Sequence, residues 1–152
     1  MVRKSLLIII ISFIAKWTFS QVDYNIERPK YIIVGCGAFP KEDVKNNIDT
    51  LNKLAKDSFQ NKFMLFRDLG MNYYRLWAYE KDDKWLEIAI TNFGKSIDLN
   101  PEFASNYLDQ AICYLFLKNC QKVNDNIEKY KSKTKRKERD KAQIKELKNN
   151  CG

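Results

Sequence analysis

From Lys41 to Lys131, apolar side chains return at spacings of three and four, and no other feature constrains the fold as strongly. Val44, Ile48, Leu51, Leu54, Ala55 and Ser58 mark one face of a helix that starts behind Pro40, with Glu42 and Asp43 in its first turn. Phe63, Phe66, Leu69, Tyr73, Leu76 and Trp77 do the same for a second helix from about Gln60 to Glu80. After a turn at Asp82-Asp83, Trp85, Ile88, Ala89, Phe93, Ile97 and Leu99 continue a third, which Asn100-Pro101 stops. Glu102 to Leu117 and Asn119 to Lys131 read as two more helices, and Ser132 to Asn150 as a charged helix or a disordered tail. Five Gly and three Pro among 152 residues leave little punctuation for a many-stranded fold. The expected class is all-α, in one domain spanning 41–131.

The first twenty residues have the layout of a secretory signal peptide. Arg3 and Lys4 form a positive start, Leu6 to Ala15 is apolar apart from Ser12, and Thr18 and Ser20 supply the small residues of a cleavage site after Ser20. The apolar stretch is about half of the ~20 residues that span a bilayer, so an exported chain, periplasmic or secreted, is expected. Ile33-Val34-Gly35-Cys36 resembles a lipobox, but Asp23, Glu27, Arg28, Pro29 and Lys30 separate it from the apolar core, so lipid anchoring at Cys36 is not expected. Residues 21–40 are expected to form an extended arm, with Tyr31 to Val34 a strand or an arm pressed on the helices. Gly35-Cys36-Gly37 lacks the third glycine of a dinucleotide fingerprint, and no alternating strands follow.

Histidine is absent, which removes the commonest general base and the commonest metal ligand. No Cys, Asp or Glu cluster has metal-ligand spacing, and Asp82-Asp83 and Glu42-Asp43 read as caps. Neither an enzyme nor a cofactor or metal site is expected. Export makes the four Cys disulfide candidates, with three pairings open in principle. Cys113 and Cys120 flank a predicted helix–helix turn and are expected to pair, leaving Cys36 to join Cys151; the alternative is that Cys113 packs as a small apolar residue.

The helical region carries an echo at 34 residues. Ala89-x-x-x-Phe93 followed by Pro101, with Tyr73-x-x-Leu76 upstream, resembles the tetratricopeptide repeat, Tyr taking the place of its usual Trp. One period on, Tyr107, Ala111 and Tyr114 fit the first helix of the pattern, and Val123 and Ile127 fit the second. One period back, Ala55 and Phe59 repeat the small-x-x-x-large pair. The chain departs from the pattern at Trp77, where Gly is usual, at Glu80, where Tyr is usual, at Gln110 in place of Leu, and at Lys135 in place of a closing Pro. A generic helical bundle is the alternative. The resemblance implies a short TPR-like array of antiparallel α-hairpins, an α-α superhelix, ending in a charged C-terminal helix or tail over 132–152.

The same resemblance implies a binding role on the face lined by the first helix of each pair. The register places Tyr74, Arg75, Ala78 and Lys81 on that face in one repeat, and Ser105, Leu108, Asp109 and Ile112 in the next. The expected partner is a protein or peptide, with Arg75 and Lys81 gripping a carboxylate and Tyr74 offering apolar area. The alternative is peripheral association with the envelope through the tail. The formal net charge is +8, and from Lys131 to Lys148 nine basic residues face three acidic ones, so the helical body is nearly neutral and the tail basic. Nucleic acid is not expected, because no aromatics interleave with those charges.

Overall fold

The computed structural model describes residues 40–56 and 62–151. The expected signal peptide and N-terminal arm with Cys36, together with Ser58 and Phe59, lie outside the described residues. Six helices follow in order: α1 Lys41–Lys56, α2 Lys62–Glu80, α3 Lys84–Leu99, α4 Ser105–Phe116, α5 Cys120–Lys133 and α6 Lys141–Asn149. The described residues contain no strand, and the fold is all-α.

Several helix ends have a local cause. In α1, Glu42 and Asp43 open the helix and Lys53 and Lys56 close it, each set matching the nearby pole of the helix dipole. Lys81 ends α2 in the left-handed region at φ 54°, and its N–H returns to the Trp77 carbonyl. Lys118 does the same work after α4 at φ 56°, and Asn119 then caps α5 by accepting the Lys122 N–H. The Asn100 N–H closes α3 on the Ser96 carbonyl just before Pro101.

These short turns fold the chain back so that consecutive helices from α1 to α5 pack side by side, and α2 also touches α4. The packing face is the one the period marks. Val44, Ile48 and Leu51 of α1 are buried against Leu65, Leu69 and Leu76 of α2. Ala89 and Phe93 are fully buried on α3, as are Val123 and Ile127 on α5, while Ala55 is partly buried beside Leu51. Gly70 lets α2 lie directly on the Phe93 ring.

The C-terminal segment is a docked helix. Asp140 caps α6 by accepting the Gln143 N–H, and Leu147, 3% exposed, enters the same core as Tyr107, Ala111, Val123, Ile127 and Tyr130. The Arg139 guanidinium donates to the carbonyls of Lys131 and Thr134 at the end of α5, and the Tyr130 hydroxyl accepts the Asp140 N–H. A disulfide joins Cys120 to Cys151 with Cα atoms 5.4 Å apart.

That bond corrects the expected pairing of Cys113 with Cys120 and of Cys36 with Cys151. Cys113 points inward from α4 against Leu86, Ala89 and Phe93 and is fully buried as a free thiol, whereas Cys120 opens α5 where α6 brings Cys151 alongside. Flanking a turn in sequence does not aim two side chains at each other when one of them faces the core.

Candidate functional site

Joined by a few side-chain contacts, α2 and α4 form a surface with a buried polar base. Ser96 of α3 is fully buried and donates to the Phe63 carbonyl of α2, while the Asn106 side-chain amide of α4 donates to the Ser96 hydroxyl at 2.8 Å. One hydroxyl thus links three helices. Phe103, in the connector before α4, stacks near Phe63 at 5.6 Å and lies beneath the Arg67 guanidinium at 5.4 Å.

Above this base, Arg67 of α2 reaches Asp109 of α4 at 3.0 Å, with the two side chains only 12% and 14% exposed. Burial pushes the Asp109 carboxyl above its usual range, and the Arg67 charge and hydrogen bond pull against that shift. Burial also pushes the Cys113 thiol up to about 12, with the Asp109 charge adding to the effect, so the thiol stays protonated at neutral pH. The Tyr74 hydroxyl is raised by the same burial, with Cys113 a smaller contributor. These groups form a structural cluster without an activated nucleophile.

At the C-terminal ends of α2 and α4, three aromatic rings meet. Trp77 and Phe116 lie 4.4 Å apart, Tyr74 stacks on Trp77 at 5.9 Å, and Tyr74 and Phe116 are 6.0 Å apart. Phe116 remains 44% exposed. The Lys81 ammonium stands 4.6 Å from the Trp77 ring centroid, and the Trp77 indole N–H donates to Asp83.

The residues expected to bind a partner divide between surface and interior. Tyr74, Arg75 and Ile112 are half-buried; Ala78, Lys81 and Ser105 are exposed. Two expectations need correction. Leu108 is 3% exposed because its side chain enters the core shared by α4, α5 and α6. Asp109 is held by Arg67, so its carboxylate is already neutralised inside the protein. Trp77 and Phe116 were not expected on this surface. The departure of Trp77 from the repeat pattern, a bulky ring where Gly is usual, was the available signal.

The basic residues of the C-terminal segment do not form one stripe. Lys131 pairs with Glu128 and Lys133 with Glu102, while Lys135 to Lys137 lie in the turn and Lys141, Lys145 and Lys148 on α6. Among the described residues no helix is long and apolar enough to cross a membrane.

The buried asparagines echo the period of the apolar pattern. Asn72 and Asn106 stand 34 residues apart and are both buried, each with a carbonyl oxygen that accepts no hydrogen bond. Asn92 and Asn126, also 34 apart, are both buried and donate to the carbonyls of Ile88 and Lys122, one turn earlier. Comparison with family models, with curated proteins and with solved structures finds no match to this chain.

Proposed function

We propose that the chain is an exported interaction module, built of stacked α-hairpins similar to tetratricopeptide repeats, that holds a segment of a partner protein across the ends of α2 and α4. The observation that carries this reading is the Tyr74–Trp77–Phe116 cluster, which spans both helices, leaves Phe116 44% exposed and has a lysine ammonium against it. Aromatic side chains of this kind anchor interfaces, since they offer large apolar area at small entropic cost. The chemistry it suits is an apolar side chain flanked by a carboxylate, the first on Phe116 and the second facing Lys81.

The repeat reading draws support from the matched asparagines and from burial of the Ala89/Phe93 and Val123/Ile127 pairs at one spacing. The leader pattern favours export, and the Cys120–Cys151 bond is compatible with it. The Arg67–Asp109 and Ser96–Asn106 links, in the N-terminal halves of α2 and α4, tie together the helices that carry the cluster.

Crosslinked capture from envelope extracts of the producing cells tests this reading. Wild-type protein is expected to retain a partner that the Phe116→Ala, Lys81→Ala double variant loses, with a weakening on the order of 2 kcal/mol or more. A Lys135→Gln control is expected to retain it. Identical captures from all three proteins would remove the aromatic cluster as the binding surface.

A further inference from the structure

A cleft lies at the basic end of the chain and involves none of the residues of the α2–α4 surface. Lys141, Lys145 and Lys148 stand at helical spacings of four and three, so they project from one side of α6, together with Ile144. Leu147 and the Cys120–Cys151 bond pin α6 against the α4–α5 pair. The lysine face then looks across a cleft of about 380 Å³ toward Lys131 at the end of α5 and toward Arg136 and Arg139 of the connecting turn. Three separate stretches of chain thus supply six cations to one space, and no carboxylate lines it.

Two of the six are partly committed. Lys131 reaches Glu128 at 2.7 Å, the same carboxylate acts at longer range on Lys148 and Arg139, and the carbonyls of Lys131 and Thr134 orient the Arg139 guanidinium. Among the described residues, the side chains of Arg136, Lys141, Lys145 and Lys148 have neither a hydrogen bond nor an ion pair. Like charges gathered around a hollow repel one another, and a bound anion relieves that repulsion while gaining several donors at once.

We propose that this cleft binds an anion carrying more than one phosphate charge, either a free oligophosphate or the phosphomonoester headgroup of a lipid. Its volume falls in the range of small-molecule sites, and convergent Arg and Lys donors match tetrahedral oxyanions better than a single carboxylate. No aromatic ring lines it, so stacked bases are not its ligand.

The test uses the full-length oxidised chain, with calorimetric titration of sodium tripolyphosphate and co-sedimentation with phosphatidylcholine vesicles with or without phosphatidic acid. Binding to phosphatidylcholine alone reports the apolar stretch Leu6 to Ala15 and is subtracted. Saturable binding to at least one probe is expected, tripolyphosphate alone identifying a soluble ligand and phosphatidic acid alone a lipid headgroup. The Arg136→Gln, Lys141→Gln, Lys145→Gln variant is expected to bind about tenfold or more weakly. The Lys129→Gln, Lys135→Gln, Lys137→Gln variant loses the same charge outside the cleft and should change by less than about threefold. Circular dichroism checks that both remain helical. Absence of binding to both probes, or equal weakening by both variants, overturns the proposal, the latter because diffuse charge would then be responsible.

Discussion

A Cβ added at Gly70 would come within 2.8 Å of the Phe93 ring, closer than real contacts allow. In a helix interior, Gly→Ala ordinarily gains up to about 1 kcal/mol from propensity. Here Phe93 is fully buried, so its ring has little room to retreat, and overpacking costs typically about 1–3 kcal/mol. Gly70→Ala is therefore expected to lower the melting temperature, and Phe93→Leu in the same chain to recover part of the loss. A rise in melting temperature for the single variant would show that α2 and α3 are not in this close contact. At the same scale, sequence identified Ala89, Phe93, Val123 and Ile127 as core residues because periodicity reports which side of a helix is buried. It misplaced Leu108 and Asp109, because a family register gives no account of which side chains a neighbouring helix covers.

The last helix shows what an element gains from its neighbours. Its composition is mostly polar, and only Ile144 and Leu147 bring sizeable apolar side chains to the core, too little for an isolated nine-residue helix to persist in water. It is held by Leu147 and by a disulfide that closes a separation of 31 residues. The chain-entropy argument gives such a loop about 3–4 kcal/mol of stabilisation. A Cys120→Ser, Cys151→Ser chain is expected to unfold at lower denaturant concentration, with amide exchange in α6 accelerated more than in α2 or α3. Uniform acceleration across all helices would mean that α6 is integral to the core rather than stapled on. Charge alone left helix and tail equally open for this segment, since the contacts that decide between them lie on α4 and α5.

At the scale of the molecule, Glu80 ties three helices together. Its carboxylate meets Lys41 at 2.9 Å and Lys45 at 3.5 Å from α1, and accepts the Trp85 indole N–H of α3 at 2.8 Å. The Lys41 hydrogen bond, then that of Trp85, hold its pKa near 2 instead of the usual 4.5. A depressed pKa means that the folded state favours the ionised form. The contribution is present above pH 4.5 and is lost as the pH falls toward about 2. Asp109 has the opposite sign: burial raises its pKa, so its ionised form opposes folding at neutral pH and protonation relieves that cost. The melting temperature of Glu80→Gln is expected to fall less between pH 4.5 and 2 than that of the wild type, because one of the acid-sensitive ties is gone. Superimposable acid profiles would show that Glu80 does not hold α1 to the other helices.

The helices α1 to α5 and the side of each that turns inward were determined by the sequence itself, because a 3.6-residue period and local caps act within a turn or two of chain. The aromatic cluster, the Arg67–Asp109 bridge, the partner of Cys120 and the basic cleft were decided only by tertiary structure. Each joins side chains from different helices, and their distances depend on how those helices cross, which no spacing along one helix contains.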